Sequence, residues 1–371
     1  MRSKQGPGAV RIAYCGPIAQ PGRPARGGYE SANRRLIDDL RLRGIDVVEI
    51  PYAEASGREP RKVLAHVTGF ARAAATLISK RREFDLLHIT PLYRQFLYAE
   101  ALLCAIAWTL GKRVALDIRA GSFVRNYRER SRAYRALADS LIAHAELVAV
   151  EGKEYLPFIA ERRDGSVLYL PNYVQPPPAA PVPGAEARTS AVMRLVFLSR
   201  IVPEKGVETA IRTLEILTAR GLPATLEVIG TGEETYVERL ITRTGDLPVI
   251  WSGALPPREV KARLATAHFF LFPTVHPGEG HSNALTEAMA EGVVPICSGN
   301  GFNPSVVGAC GGILSADASA ADYAEATVAL WSSGSWPRLS AACRERVAQN
   351  FASNAVLAPL IEHYRQIATT L

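Results

Sequence analysis

Cysteine is scarce in this chain of 371 residues, and the five that occur are scattered over Cys15, Cys104, Cys297, Cys310 and Cys343. Their number is odd and no two of them form a Cys-x-x-Cys pair, so the pattern does not indicate a disulfide framework. We therefore expect reduced thiols in a cytoplasmic protein.

The chain also lacks an apolar segment long enough to span a membrane. Its longest apolar segment, Phe96–Leu110, includes Glu100 and is too short for a membrane-spanning helix, so it predicts a buried helix. Residues 1–7 lack the apolar segment of a signal peptide, and we expect no export signal.

Charge is present in an ordinary amount but is unevenly placed. Apolar residues make up 48% and charged residues 21% of the chain, as in a typical globular protein, and the length predicts two domains. Residues 1–180 hold 28 Lys and Arg against 18 Asp and Glu, whereas the remainder holds 15 against 18. The first half is therefore the basic one, and its basic residues are densest between Lys112 and Arg135.

This basic region has three candidate partners, which are anionic lipid headgroups, an acidic acceptor molecule and nucleic acid. Nucleic acid is disfavoured because aromatic residues are not interleaved densely enough to stack on bases. An Arg-rich helix face that is simply solvated explains the pattern equally well.

Strands and helices alternate twice along the chain, which predicts two parallel sheets that are each covered by helices on both faces. A proline-rich stretch, Pro171–Gly184, separates the two alternations and indicates an interdomain connection. We place one domain at residues 1–175, the linker at 176–190, the second domain at 191–353, and a last helix within 354–371 that Pro359 interrupts. The strands predicted for the first domain are Arg11–Gly16, Val47–Ile50, Leu86–Ile89, Val114–Asp117, Leu147–Val150 and Val167–Leu170.

The segment 273–292 connects two predicted buried strands, Phe269–Phe272 and Val293–Ile296, through a loop and a short helix. Ser282 or Asn283 can cap this helix. Because the helix opens at the carboxyl end of a parallel strand, its free N–H groups and partial positive charge suit a phosphate.

Two carboxylates lie eight residues apart in this segment, Glu279 in the loop and Glu287 about one turn into the helix. They can accept hydrogen bonds from hydroxyls on either side of such a phosphate. A nucleoside diphosphate sugar has this order of groups, namely sugar hydroxyls, diphosphate and ribose diol. The alternative is a solvated loop acid beside a helix acid that satisfies its own N-terminal turn.

Other loops at predicted strand ends carry residues that could bind the same ligand. Arg200 and Lys205 follow the first strand of the second half and can reach the same crevice, where two cations would hold a diphosphate and stabilise it as a leaving group. Taken singly, each residue fits a surface charge better than a ligand contact, and the interpretation depends on their occurrence together with the glutamate loop. The Gly27-Gly28 pair permits close approach of backbone to a ligand at a helix N-terminus, although a flexible turn is the alternative.

Together these residues resemble the retaining glycosyltransferases of the GT-B fold, specifically family 4, often called glycosyl transferases group 1. The segment Glu279–Ala290 looks like the family's signature of two glutamates separated by seven residues and followed by Ala-Met-Ala. The resemblance implies an α/β protein with two Rossmann-like doubly wound parallel-sheet domains facing each other across a cleft, and a last helix that packs back on the first domain. Supporting matches are Arg200, Lys205-Gly206, Gly230-Thr231-Gly232, Leu170-Pro171-Asn172, Gly27-Gly28 and the last helix.

By this resemblance the second domain binds the nucleotide sugar. Arg200 and Lys205 bind the donor diphosphate, while Glu279 contacts the sugar hydroxyls and Glu287 the ribose hydroxyls. The other implied donor-binding residues are Gly280, His281, Ser282 and Asn283 through their backbone, Ala254 beside the base, Gly230 and Gly232 in their turn, and Gly28 from the first domain.

Two departures from the family pattern affect these assignments. His281 and Ser282 stand where many members carry Phe-Gly, so the contact with the donor sugar differs in kind. Many members also place a histidine at the end of the first domain's fourth strand, near the reacting carbon, where this chain has Asp117 and Arg119. We expect one of these two to take over that catalytic role, and we expect His88, which closes an earlier strand, to be structural.

The sequence thus predicts transfer of a hexose-type sugar, with retention of configuration, from a UDP- or GDP-type donor to a hydroxyl of a glycan or lipid-linked acceptor. The pathway expected is synthesis of cell-surface polysaccharide or lipopolysaccharide. The chain has no Asp-x-Asp element, and we expect neither a metal nor another cofactor. The acceptor is expected on the first domain, whose basic surface can contact the inner face of the membrane.

Two other functions remain compatible with the sequence. One is a catalytically silent protein that binds a nucleotide sugar, which the absence of the family histidine makes conceivable. The other is a nucleotide-sugar epimerase of the same fold, which the glutamate signature together with Arg200 and Lys205 disfavours.

Overall fold

The computed structural model describes residues 10–20, 28–52, 59–175 and 191–369. The chain forms two compact units, Met1–Pro171 with Leu357–Leu371 (unit 1) and Asn172–Val356 (unit 2). The linker predicted at 176–190 and the predicted Gly27 lie outside the described residues. Each unit contains one six-stranded parallel sheet with helices around it, which confirms the predicted α/β class with two Rossmann-like sheets.

The sheet of unit 1 is built from the alternation that the sequence predicted. Its strands are β1 (Arg11–Gly16), β2 (Asp46–Pro51), β3 (Leu86–Ile89), β4 (Arg113–Ile118), β5 (Leu147–Val150) and β6 (Val167–Tyr169). Their order across the sheet is β2-β1-β3-β4-β5-β6, and all neighbours are parallel. The central strands β3 and β5 are buried at every residue, because helices cover both faces of a parallel sheet. The helices are α1 (Gly28–Leu42), α2 (Glu59–Ser79), α3 (Leu97–Thr109), α4 (Phe123–Glu129), α5 (Arg132–His144) and α6 (Leu156–Ala160).

The sheet of unit 2 starts in its middle and winds outward in both directions. Its strands are β7 (Met193–Leu198), β8 (Ala224–Ile229), β9 (Val249–Gly253), β10 (Phe269–Phe272), β11 (Val294–Ser298) and β12 (Gly312–Leu314). Their order is β12-β11-β10-β7-β8-β9, so the direction of winding reverses between β7 and β10. The helices are α7 (Val207–Ala219), α8 (Glu234–Thr244), α9 (Pro257–Leu264), α10 (Asn283–Ala290), α11 (Asn303–Val307), α12 (Ala320–Ser332) and α13 (Trp336–Asn350).

The last helix, α14 (Ser353–Thr369), runs without a break through Pro359, so the predicted interruption is wrong. Its apolar stripe explains why the helix continues, since Leu357, Leu360 and Tyr364 are all fully buried. From Leu357 onward the helix belongs to unit 1, where the Tyr364 hydroxyl lies 2.7 Å from Nδ1 of His88.

The prediction of a buried helix within Phe96–Leu110 is only partly correct, because α3 is exposed on one side. Tyr98 and Leu102 expose more than half of their surface, whereas the single acid in the helix, Glu100, is buried. No helix in the part of the chain that the structure describes is long and apolar enough to cross a membrane.

Candidate functional site

The reversal of strand order in unit 2 brings two loops to one edge of the sheet. Strands β7 and β10 are parallel neighbours, so the loops that follow them, 199–206 and 273–282, leave the sheet side by side. In open α/β sheets ligands bind at such a point, outside the carboxyl ends of the strands. Arg200, Lys205 and Glu279, which the sequence placed in these loops, therefore border one location.

A buried ion pair joins the two loops. The ammonium of Lys205 lies 2.7 Å from Oε2 of Glu279, and the hydroxyl of Thr274 donates to the same oxygen at 2.6 Å. Lys205 and Glu279 are 9% and 6% exposed. The ammonium also lies 5.7 Å from the centre of the Phe272 ring. The carboxylate is therefore held in one orientation before any ligand arrives, which a sequence separation of 74 residues does not reveal.

Backbone contacts hold the same two loops together. The N–H of Val275 donates to the Glu204 carbonyl at 2.8 Å. Gly206 has φ +80°, and a Cβ there would lie 2.2 Å from the Pro273 carbonyl oxygen. Glycine is required at 206 both for its left-handed backbone and for this close approach.

A third loop supports Glu279 from behind. Gly301 has φ +59°, and a Cβ there would lie 2.4 Å from the Glu279 carbonyl oxygen. The side-chain amide of Asn300 donates to the His276 carbonyl at 2.9 Å. The position of Glu279 thus depends on the loop after β11 as well.

Helix α10 opens next to this ion pair, as the sequence predicted. Ser282 is its N-cap and accepts a hydrogen bond from the Leu285 N–H at 3.4 Å. Glu287 lies one turn further and is partly exposed. It follows Asn283 by four residues and so shares a face of the helix with it. The N-terminus of the helix and Glu287 therefore lie on the same side of α10.

The side chain of His281 points into the protein. It is 3% exposed, its Nε2 lies 2.6 Å from the Thr286 hydroxyl, and its ring meets Phe351 edge-on at 5.0 Å. Its carbonyl accepts a hydrogen bond from the Asn172 side chain at 2.7 Å. Residue 281 would therefore contact a ligand through its backbone N–H, whereas its imidazole holds the loop in place.

The glycines predicted after β8 make close backbone contacts with the loop after β7. A Cβ at Gly230 would lie 1.8 Å from the Ser199 carbonyl oxygen, and one at Gly232 would lie 2.2 Å from that of Ile201. Ile201 and Gly232 form an isolated parallel bridge. These glycines thus shape the loop that carries Arg200. Ala254 follows the edge strand β9 and is exposed.

Arg200 supplies positive charge on the open side of this site. Its side chain is exposed and, within the described ranges, makes no hydrogen bond or ion pair. His276, which sequence reasoning missed, lies partly buried in the loop after β10, and the Gly278 N–H donates to its Nδ1 at 3.1 Å. Burial, assisted by the charges of Lys205 and Arg200, lowers the pKa of His276, so the ring is neutral and carries its proton on Nε2.

Unit 1 has a separate buried polar cluster at the carboxyl end of β4. Asp117 accepts a hydrogen bond from Nε of Arg119 at 2.6 Å, and Nε2 of His88 lies 3.3 Å from the same carboxylate oxygen. Burial alone would raise the pKa of Asp117, but the Arg119 charge and the His88 hydrogen bond outweigh it and hold the pKa below its ordinary value. The second oxygen of Asp117, Oδ1, is buried and has no hydrogen-bond partner among the residues that the structure describes.

The structure brings Asp117 and Arg119 together as one ion pair, and it places His88 between Asp117 and Tyr364 of the last helix. His88 also stacks on the Tyr14 ring at 4.7 Å. The histidine is therefore a fully enclosed core residue, as expected.

Gly28 begins helix α1 and is exposed.

In the described part of the chain, His, Cys, Asp and Glu side chains form no cluster of three or more that would hold a metal ion. The five cysteines are all buried and unpaired.

Comparison with known proteins gives partial matches in sequence and nearly complete matches in fold. Residues 193–333 match the model of the family described as glycosyl transferases group 1. A GDP-mannose-dependent alpha-(1-6)-phosphatidylinositol monomannoside mannosyltransferase of Mycolicibacterium smegmatis is 32% identical over 154 residues, which is 38% of this chain and 40% of that protein. A putative colanic acid biosynthesis glycosyltransferase of Salmonella typhimurium is 30% identical over 121 residues, 31% of this chain and 30% of that protein.

The matches in sequence thus span well under half of these curated relatives, and the family match lies within unit 2. Among solved structures, sucrose-phosphate synthase from Thermosynechococcus elongatus has a TM-score of 0.75 at 17% identity and covers 98% of this chain and 100% of its own. Anabaena HepE in complex with UDP has a TM-score of 0.67 at 16% identity, with coverages of 97% and 99%. The chain therefore has the fold of these proteins, which is the predicted GT-B fold.

Proposed function

We propose that this protein is a retaining glycosyltransferase of family 4 that transfers a hexose-type sugar from a nucleoside diphosphate sugar to a hydroxyl. The observation that carries the proposal is the buried pair of Lys205 and Glu279 at the strand-order reversal of unit 2, beside the N-terminus of α10. A cation, an oriented carboxylate and a helix N-terminus at one place match the diphosphate and hydroxyls of such a donor.

Each residue of the site has a role in this proposal. Arg200 and Lys205 bind the diphosphate, Glu279 accepts hydrogen bonds from the sugar hydroxyls, and Glu287 accepts them from the ribose diol. The backbone of residues 280–283 contacts the sugar and phosphate, and Ala254 lies beside the base. Gly230 and Gly232 leave room for the loop that carries Arg200.

The proposed reaction proceeds on one face of the sugar. The bond between the anomeric carbon and the leaving phosphate breaks while the acceptor hydroxyl approaches from the same side, and the departing phosphate oxygen takes the acceptor proton. Negative charge grows on the diphosphate, where Arg200, Lys205 and the N-terminus of α10 stabilise it. Because these groups supply the positive charge, we propose that transfer needs no metal ion.

In unit 1 the proposed catalytic group is Asp117, with Arg119 as its partner. At the carboxyl end of β4 the buried Oδ1 atom of Asp117 has no hydrogen-bond partner in the described ranges, and a buried carboxylate oxygen in that state needs a donor. A sugar hydroxyl would supply one. His88 and Tyr364 orient the carboxylate through their chain of hydrogen bonds.

The donor is proposed to be of UDP or GDP type. The mycobacterial relative is named as GDP-mannose-dependent and the HepE structure contains UDP, so the two bases are the ones to test first. The acceptor is proposed to be a glycan or a lipid-linked glycan in cell-surface polysaccharide synthesis. A cytoplasmic protein at the inner face of the membrane would meet such an acceptor.

A thermal-shift screen of the purified protein against UDP, GDP and ADP and their sugar conjugates tests the donor site. We expect one nucleotide to raise the melting temperature and the Glu287→Ala variant to lose most of that increase. Glu234→Ala, an exposed glutamate of α8 in the same unit, is the matched control and should keep it.

Transfer is then tested with the nucleotide sugar that binds, over a panel of glycan and lipid-linked acceptors and with a chelator present. Binding without transfer or hydrolysis over the whole panel would contradict the enzyme and favour a nucleotide-sugar-binding protein. Loss of transfer on adding the chelator would contradict metal independence.

A further inference from the structure

Two helices of unit 1 present large apolar side chains to solvent. On α2, Leu64 is 64%, Val67 60% and Ile78 48% exposed. On α3, Tyr98 is 57% and Leu102 59% exposed. We call these five side chains the apolar face.

The apolar face follows helical spacing and so forms a stripe on each helix. On α2, the exposed Ala71 and Ala75 fill the positions between Val67 and Ile78. Arg72 is the single charged residue between 64 and 79. On α3, the exposed Ala105 continues the row of Tyr98 and Leu102, and the one charged residue, Glu100, is turned inward. A helix that faces water normally carries charged residues on its outer side.

The two stripes belong to one surface because α2 packs against α3. The Phe96 ring, at the start of α3, lies 4.9 Å from the ring of His66 and 6.0 Å from that of Phe70, both on α2. A contiguous exposed apolar surface of this kind marks an interaction site.

Cations border this surface on two sides. The Tyr98 ring meets Tyr134 edge-on at 6.3 Å, and the Arg130 guanidinium lies 5.8 Å from the Tyr134 ring centre. Helix α5, which contacts α3, adds Arg132 and Arg135. At the other side α2 ends in the exposed residues 80–82, Lys-Arg-Arg. Among the acids near these cations, Glu83 lies 3.9 Å from Lys80, Asp139 binds Arg162 at 3.1 Å, and Glu129 directly precedes Arg130, so the cations outnumber the acids.

We propose that the apolar face is a docking surface for an anionic lipid bilayer, with its side chains in the headgroup region and the bordering cations on lipid phosphates. Apolar residues flanked by Arg and Lys match this partner, because insertion and charge attraction then act together. A second copy of this chain matches less well, since a two-fold contact through this face would bring its basic borders together. The inference deepens the proposed function by naming where the enzyme meets a lipid-linked acceptor, but it does not depend on transfer.

Vesicle flotation of the full chain, without donor or acceptor, tests the proposal. Vesicles of phosphatidylcholine alone are compared with vesicles that also contain phosphatidylglycerol. We expect wild type to float with the anionic vesicles, and Leu64→Ser combined with Leu102→Ser to weaken binding at least about tenfold. Arg130→Glu combined with Arg132→Glu should weaken it as well, and added salt should weaken the wild type.

Matched controls lie in unit 2. Ile241→Ser with Ile250→Ser changes two apolar side chains that are 44% and 51% exposed, and Arg258→Glu reverses an exposed charge. Both should leave flotation unchanged. All variants alter exposed residues, and cooperative thermal unfolding near the wild-type melting temperature, measured without nucleotide, shows that they are folded.

Each other result would overturn the docking surface. Wild type that floats with neither vesicle excludes a lipid partner. If the Leu64 and Leu102 variant still floats, the lipid contact lies elsewhere on the protein. If the wild type instead dimerises in sedimentation experiments without binding lipid, and the same variant abolishes the dimer, a second copy of the chain occupies this face. Because flotation uses no donor, failure of the proposed donor site would leave these outcomes unaffected.

Discussion

Lys205 and Glu279 form an ion pair of 2.7 Å that is almost closed to solvent and joins the loops after β7 and β10. Two charges in a buried position are stable only while they compensate each other, because each alone would bear the cost of desolvation. The pair is thus a fixed part of the fold as well as the centre of the proposed donor site.

Removal of one partner should therefore destabilise the protein more than removal of both. We expect Lys205→Met and Glu279→Met each to lower the free energy of unfolding by about 3 kcal/mol, and the double variant Lys205→Met with Glu279→Met to recover part of that loss. Urea denaturation measures all three. Strictly additive losses would show that the pair does not interact energetically, and retained nucleotide binding in the single variants would exclude it from the donor site.

The loops were predictable here, whereas their contacts were not. The apolar strand before Glu279 and the cap at Ser282 are local patterns, and the structure has both where the sequence placed them. Thr274, which orients Glu279, carries no sequence signal because a threonine after a strand is common. Such partners depend on how separate loops meet in space.

Gly301 offers a test of that loop contact, with a matched control in Gly334. Both residues have φ near +60°, but a Cβ at Gly301 would lie 2.4 Å from the Glu279 carbonyl, whereas one at Gly334 would meet nothing within 4 Å. Gly334→Ala should cost about 1 kcal/mol from its backbone conformation alone. Gly301→Ala should cost more and also displace Glu279, so that the thermal shift by nucleotide disappears. Equal losses of stability and equal nucleotide shifts in the two variants would refute the contact.

Arg200 should show the opposite behaviour to Lys205. It is exposed and makes no ion pair with the described residues, so Arg200→Ala should leave the free energy of unfolding within about 0.5 kcal/mol of wild type. A charge-assisted contact with the diphosphate is worth about 1.5–3 kcal/mol, so nucleotide affinity should fall roughly ten- to a hundredfold. Isothermal titration with the nucleotide measures the affinity, and Arg212→Ala, an exposed arginine of α7, is the control. Unchanged affinity would remove Arg200 from the site.

Asp117 combines a structural and a proposed catalytic role that two variants can separate. Asp117→Asn removes the carboxylate charge that pairs with the buried Arg119 and should lower stability by about 3 kcal/mol, along with transfer activity. Tyr364→Phe removes the hydrogen bond to His88 at the far end of the cluster and should cost about 1 kcal/mol. If the two variants lose transfer in proportion to stability alone, Asp117 has no catalytic role.

The cluster around Asp117 was only half visible in the sequence. Asp117 and Arg119 stood out because they stand where the family pattern has a histidine, and residues two positions apart on an extended chain lie on the same face. Their partners His88 and Tyr364 come from β3 and α14, so the sequence does not reveal those contacts. Glu100 shows the same limit, because within an apolar run it indicated only that the run was no membrane span.

Glu100 gives the pH dependence that this structure predicts most directly. Burial raises the pKa of Glu100 to about 8, although the Leu92 and Tyr93 N–H groups donate to its carboxyl at 2.6 and 3.1 Å and oppose the rise. The Tyr52 hydroxyl has one proton and lies 3.1 Å from both the Thr90 carbonyl and Glu100. Since the carbonyl can only accept, Tyr52 donates to it, and a protonated Glu100 then donates to Tyr52.

The sign of the effect follows from proton binding. Between the ordinary pKa of 4.5 and about 8 the folded protein keeps the Glu100 proton and the unfolded chain releases it, so stability from this group is complete below pH 4.5 and falls as pH rises. The total is on the order of 5 kcal/mol, with a slope of at most about 1.4 kcal/mol per pH unit. Glu100→Gln should remove that slope while costing a pH-independent amount, because an amide nitrogen cannot accept from the Leu92 N–H. Urea denaturation of both proteins at pH 5, 6, 7 and 8 measures the difference, and parallel curves would mean that Glu100 is ionised in the fold.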